Sequence, residues 1–324
     1  MARYCVTGAV GFIGSRVTEM LLDSGHQVVG IDNLNDAYDV RMKEHRLAQL
    51  QGRPGFTFFP LDICDRQGLV QAFAGPPIEA VINLAARAGV RQSVEDPWVY
   101  LDTNVTGTLN LLELCRQQGI AKFVLASSSS VYGANAPLPT PETADSNQPL
   151  SIYAASKKAA EAVCYSYHHL YGIDTSIFRY FVVYGPRGRP DMSMFRFVQW
   201  ISEGRPLRLF GDGEQMRGYT YVDDIARGTI LGLQPVGYEI INLGGHQAVK
   251  INDLIRQMEA LIGKKAQIEQ YPAHPADVFA NHANVEKAGR LLGWEPTVSL
   301  EEGVSRLIAW YNAERDWASQ LKTA

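Results

Sequence analysis

Long apolar runs are missing from this chain. No stretch of about 18 apolar residues occurs, and the opening residues run directly into a strand-like segment, Arg3-Tyr-Cys-Val-Thr7, in place of a signal peptide's apolar core. Neither a membrane span nor export is expected. Cysteine is sparse too: Cys5, Cys64, Cys115 and Cys164 lie far apart, with no C-x-x-C pair and no ligand spacing with histidine. Buried reduced thiols, no metal site and a cytoplasmic setting are therefore expected. Nor is there an excess of positive charge. With 30 Lys and Arg against 34 Asp and Glu, the net charge is −4, which leaves no basic field to hold nucleic acid or an anionic membrane. An anionic substrate must then be held by a few local arginines. Repeats and low-complexity tracts are absent as well, and the Lys264–Lys265 pair reads as a solvated helix end.

What is present is material for a large core: 324 residues, 46% of them apolar, enough for one large domain or two intimate ones. Strand-like runs at Arg3–Val6, Gln27–Ile31, Thr57–Phe59, Ala80–Leu84, Lys122–Ala126 and Thr175–Arg179 alternate with helical stretches. Of these, Phe12–Ser24 is stopped by Gly25, Leu109–Gln118 by Gly119 and Ala154–Tyr171 by Gly172. Such alternation predicts an α/β fold with a doubly wound parallel sheet of the Rossmann kind, covered on both faces. After Arg179 the alternation fails in the loop Gly185-Pro-Arg-Gly-Arg-Pro190. A smaller C-terminal α/β substrate domain is expected there, giving residues 1–182 and about 220–246 to the cofactor domain and 183–219 with 247–324 to the other.

Directly after the first strand stands Thr7-Gly-Ala-Val-Gly-Phe-Ile-Gly14, a G-x-x-G-x-x-G spacing that opens into a helix. Three glycines alone also describe an ordinary tight turn. Between a strand and a helix, however, they let backbone N–H groups and a helix N-terminus approach a pyrophosphate, with Gly14 permitting close packing. Asp32 ends the second strand about 20 residues further on, where an acidic residue binds the adenosine ribose hydroxyls. A carboxylate there repels a 2′-phosphate, so NAD is expected and not NADP. Asp62, after the third strand, either reaches the adenine amino group or is a solvated turn aspartate.

Tyr153-Ala-Ala-Ser-Lys157 begins a helix and sets a phenol and an ammonium four residues apart on one face. Taken alone, Y-x-x-x-K is common by chance. A buried cation beside a phenol favours the phenolate, and hydride chemistry on an alcohol needs such a base. Upstream, Ala126-Ser-Ser-Ser-Ser-Val-Tyr-Gly133 follows the fifth strand at the sheet's carboxyl edge, where open α/β folds bind ligands. Its hydroxyls either meet the substrate or cap backbone groups of the turn.

These segments resemble the extended short-chain dehydrogenases/reductases, and within them the nucleotide-sugar 4-epimerases, above all those of UDP-glucuronate. The resemblance covers nearly the whole chain. It rests on Thr7–Ser15, Leu84–Arg91, Ser127–Gly133, Tyr153–Lys157, Val183-Tyr-Gly-Pro-Arg-Gly-Arg-Pro-Asp-Met192 and Arg217–Asp224. It implies that Ser128 polarises the sugar's 4-hydroxyl, Tyr153 is the base, and Lys157 binds the nicotinamide ribose and lowers the tyrosine pKa. The implied cofactor pocket comprises Gly8, Gly11, Phe12, Ile13, Gly14, Asp32, Asn33, Asp62, Ile63, Leu84, Ala85, Ala86 and Tyr180, with Tyr153 and Lys157. Toward the substrate, Ser129 and Ser130 accompany Ser128, Arg189 would face a hexuronate carboxylate, and Arg217 the diphosphate. Asp277 would stand near the uridine ribose, and Arg87 and Arg91 are further anion candidates, Arg91 alternatively orienting the loop. Val182 replaces a threonine these epimerases commonly carry two residues before the Y-G-P run, and Pro275-Ala-Asp-Val-Phe-Ala280 departs from their P-G-D-V segment followed by threonine.

Reaction class follows by elimination. A 4,6-dehydratase calls for an Asp-Glu pair beside the catalytic hydroxyl, yet Ser129 and Ser130 stand there, and the glutamate that the family's UDP-glucuronate decarboxylases carry in this stretch is missing. Oxidation and re-reduction at C4 remain, with no net redox change and NAD retained. Epimerising a glucuronate requires holding a β-keto carboxylate out of alignment with the carbonyl π system, a task suited to the Arg189 fork unless Arg189 pairs with Asp191 or the diphosphate. A UDP-glucose or UDP-N-acetylhexosamine 4-epimerase shares every catalytic residue. A Rossmann protein that keeps NAD without catalysis is the rival from another class. Family likeness further implies a homodimer through helices near Thr103–Gln118 and Ala154–Tyr171, where Leu109, Leu112, Ala159, Ala160 and Val163 are either interface or core.

Overall fold

In the computed structural model, which describes residues 1–273 and 278–323, the strand-like runs pair in parallel. They are β1 (Arg3–Thr7), β2 (Gln27–Asp32), β3 (Phe56–Pro60), β4 (Ala80–Asn83), β5 (Lys122–Ser128) and β6 (Asp174–Tyr180). Then come β7 (Val182–Tyr184), β8 (Pro206–Phe210), β9 (Met216–Tyr221) and β10 (Tyr238–Leu243). A seven-stranded sheet takes the order β3-β2-β1-β4-β5-β6-β10, with every neighbour parallel. The order reverses between β1 and β4, so loops leaving the carboxyl ends of these two strands splay apart and leave a crevice for a ligand.

Both faces of the sheet are buried, which is why β4 and β5 are buried at every position, with apolar residues on both faces rather than on alternate ones. Successive residues feed opposite cores. Cys5, Val81, Phe123 and Ile177 point into one; Val6, Ile82, Val124 and Phe178 point into the other, which Trp294 closes. A third, aromatic-rich core joins Phe195, Leu207, Tyr219, Leu254 and Tyr311. Around it lie β11 (Ala248–Lys250), β12 (Gln267–Tyr271) and β13 (Ala280–Asn281): β9 pairs with β7, β11 and β13, and β8 with β12.

Element ends differ from the sequence pattern where tertiary contacts extend them. The strand expected to finish at Ala126 continues to Ser128, because Ser127 and Ser128 still pair with Arg179 and Tyr180 of β6. The helix expected from Leu109 starts at Gly107, after a π-helical turn over Asp102–Thr106 that brings Asn104 inward onto the backbone of Arg87. Gly119 and Gly172 end their helices in the left-handed conformation, each at φ 70°. All four cysteines are free thiols, three of them buried. Among the described residues no helix is long and apolar enough to cross a membrane.

Candidate active site

At the crevice, the helix Phe12–Asp23 begins on Gly11, which offers no side-chain cap, so its first-turn N–H groups are left to a ligand. Glycine is required here: a Cβ on Gly14 would stand 1.9 Å from the Gly8 carbonyl oxygen, and one on Gly8, at φ +64°, would stand 2.8 Å from the Ala85 nitrogen. This cradle suits a dinucleotide pyrophosphate. Asp32 is buried at the end of β2, accepts from the Leu34 N–H at 2.9 Å, and has Lys43 Nζ 3.5 Å away. Burial pulls the Lys43 ammonium below its usual pKa and the Asp32 charge opposes that shift. Asn33 donates to Asp62 at 2.6 Å, and Asp62 also accepts from the Cys64 N–H. Asp62 thus stabilises a turn at the edge of the cofactor crevice.

At the other end of the crevice, Ser151 caps the helix Ile152–Tyr171 by accepting from the Ala154 N–H. The cap starts the helix so that Tyr153 lines the same cleft wall as Ser128. Burial raises the phenol's pKa, while Ser128 and the Arg189 charge draw it back down. Lys157, one turn along, is buried and donates to the Ala126 carbonyl at 2.7 Å. Burial lowers its pKa to about 8, against the pull of Glu161. Ser128 also caps the turn after β5 through the Ser130 N–H, so it both shapes the loop and faces the base. Ser127 instead donates to Glu161, which Arg179 holds through two contacts at 2.9 and 2.7 Å.

A cleft of about 590 Å³ runs from this dyad along a cationic wall that includes Arg91, Arg189, Arg196, Arg208 and Arg217. Arg189 makes a two-pronged pair with Asp191, at 3.0 and 2.6 Å, and lies over the Tyr38 ring. Behind the wall Arg46 is fully buried. It donates to the Val10 carbonyl of the glycine loop, to the Arg187 carbonyl beside Arg189, and to the Tyr38 hydroxyl, at 2.7–3.2 Å.

The residues named from sequence for cofactor and substrate line this one cleft, with two exceptions. Arg87 is not among the residues lining it; its backbone N–H and C=O both bond the Asn104 side chain. Asp277 lies outside the described residues. Tyr180 reaches the cleft, but its hydroxyl bonds Thr229 at 2.7 Å. Val182, Ser129 and Ser130 are also on the cleft wall. Lys43, Tyr38, Arg196 and Arg208 were not singled out from the sequence. Their only signal was clustering of charge in segments whose meeting in space no spacing reveals.

Residues 4–244 match the NAD dependent epimerase/dehydratase family. The chain belongs to this family. NAD dependence comes with membership and fits the glycine cradle and Asp32. A UDP-glucuronate 4-epimerase of Thermodesulfobacterium geofontis is 56% identical over 323 residues, 99% of this chain and 100% of that one. A crystal structure of UDP-glucuronic acid 4-epimerase from Bacillus cereus, in complex with UDP-glucuronic acid and NAD, superposes with a TM-score of 0.90 at 37% identity, covering 96% of this chain and 99% of that one. UDP-glucose 4-epimerase from Thermotoga maritima, with UDP-glucose, gives a TM-score of 0.90 at 32% identity over 97% and 99%.

Proposed function

We propose that this chain epimerises UDP-glucuronate to UDP-galacturonate at C4. The observation that carries the reading is that Ser128, Tyr153 and Lys157 line the same cleft as Arg189, whose charge favours the phenolate. The similar proteins named for this reaction support it. Ser128 holds the 4-hydroxyl and Tyr153 takes its proton; Lys157, anchored on the Ala126 carbonyl, lines the same cleft and adds a positive charge to it. NAD, when bound, supplies reversible hydride acceptance at C4. After the 4-keto sugar turns over, Tyr153 returns the proton, and the arginine wall keeps the anionic sugar nucleotide in place throughout. Four free thiols support a cytoplasmic setting.

A homodimer is part of this proposal. Leu109 is exposed on the Gly107–Gln118 helix, with Trp98 and Leu101 exposed on the chain just before it. Leu112 and Ala160, by contrast, belong to the core.

One observation favours the second reading, a UDP-glucose 4-epimerase: the Arg189 fork is already satisfied by Asp191, and Val182 offers the sugar no hydroxyl. NMR of products from purified protein given each sugar nucleotide, with no added NAD, decides. UDP-galacturonate from UDP-glucuronate alone supports the first reading; turnover of UDP-glucose alone refutes it.

A further inference from the structure

Arg196 occupies an unfavourable place for a cation. It lies in the first turn of the helix Ser193–Glu203, where the helix dipole is positive. Arg91, Arg189 and Arg208 stand near enough to disfavour its charge, after burial, which disfavours it most. Asp191 opposes them, but both its oxygens already receive Arg189. The Nε of Arg196 is buried with no hydrogen-bond partner among the described residues, and its guanidinium carbon lies 5.9 Å from the centre of the Trp200 ring. A partly desolvated guanidinium in such surroundings is stabilised by an anion from outside the protein.

We infer that Arg196 is a ligand of the substrate's diphosphate, an inference that rests on the nucleotide-sugar reading above. Its position along the cleft selects the diphosphate over the uronate carboxylate. Arg196 is within electrostatic reach of Arg189, which acts on Tyr153, and of Arg208. Its guanidinium lies over Trp200, and the same cleft wall carries Phe210, where the Arg91 guanidinium stacks 4.2 Å from the ring centre. A substrate with its C4 hydroxyl at Tyr153 and its base toward those aromatic rings carries its diphosphate between them, level with Arg196. A guanidinium also suits paired phosphate oxygens geometrically.

The test uses the NAD-loaded enzyme and its Arg196→Gln and Arg196→Lys variants, titrated calorimetrically with UDP and with uridine, and assayed with UDP-glucuronate. The expected result for Arg196→Gln is UDP affinity weakened about 30-fold, as for loss of one charge-assisted contact. Uridine affinity stays within about twofold and kcat within about threefold while KM rises; Arg196→Lys recovers part of the loss. Equal weakening of UDP and uridine overturns the inference, as does intact UDP affinity with KM raised only for UDP-glucuronate. Wild type that binds UDP but leaves UDP-glucuronate unchanged refutes the proposed reaction, while selective loss of UDP in Arg196→Gln still upholds Arg196. Wild type that epimerises, beside an Arg196→Gln variant with undiminished UDP affinity, refutes Arg196 alone.

Discussion

Arg189 and Asp191 face each other in two parallel contacts, Nε to Oδ1 at 3.0 Å and Nη2 to Oδ2 at 2.6 Å, with 18% and 11% of their side chains exposed. A uronate carboxylate bound by Arg189 therefore competes with a carboxylate already in place, while a neutral hexose does not.

Asp191→Asn removes the competitor's charge. KM for UDP-glucuronate should fall by about tenfold, the value of one such contact, with KM for UDP-glucose unchanged. Arg189→Ala should release UDP-pentose and CO2 during turnover. Parallel changes for both sugars in steady-state assays would show that Arg189 does not select the uronate.

Tyr153→Phe should lower kcat by 10² to 10⁴-fold, roughly the worth of a positioned general base, with thermal melting and NAD content unchanged. A variant that turns over at the wild-type rate would remove Tyr153 from the chemistry.

Burial holds the Tyr153 phenol above its ordinary pKa and the Ser128 side chain lowers it. Since the base acts deprotonated, kcat/KM should rise with pH on the acid limb. Ser128→Ala removes the lowering contact, so this limb should move to higher pH. A pH–rate profile that moves to lower pH would contradict the arrangement.

The catalytic turn and the glycine loop were legible because each is a run of neighbouring residues whose geometry is local: a strand, a tight turn, a helix start. Legibility ended where partners lie far apart in sequence. Tyr180 lines the cleft, and nothing near it in sequence announces that its hydroxyl bonds Thr229, on the helix Val222–Leu231. Arg46 and Arg196 stand in segments whose sequence carries no recognisable motif, and only the fold shows one behind the glycine loop and the other on the cleft wall. The surroundings of Arg87 were hidden for the converse reason. Its motif was right, but the π-helical turn that supplies Asn104 has no periodicity to announce it.

Gly14→Ala should destabilise the protein by about 3 kcal/mol or more, since a Cβ 1.9 Å from the Gly8 carbonyl oxygen meets backbone that has nowhere to move. Chemical denaturation measures this, and loss of copurifying NAD should accompany it. A stable, NAD-loaded variant would mean the loop adopts another path.

Asp32→Ala should relax the preference for NAD over NADP, because Lys43, 3.5 Å from the lost carboxylate, then faces the 2′-position unopposed. Reconstitution with each dinucleotide reads it out. Undiminished discrimination would place selectivity elsewhere.

Arg46 ties the glycine loop to the Arg187 carbonyl through uncharged acceptors, deep beneath both. Dissolved ions screen exposed charges over a Debye length of about 8 Å at physiological strength but scarcely reach a contact so enclosed. Raising ionic strength should therefore loosen the hold on an anionic sugar nucleotide long before it disturbs the frame that aligns sugar with dinucleotide. In a salt titration, such an enzyme loses its grip while keeping its aim.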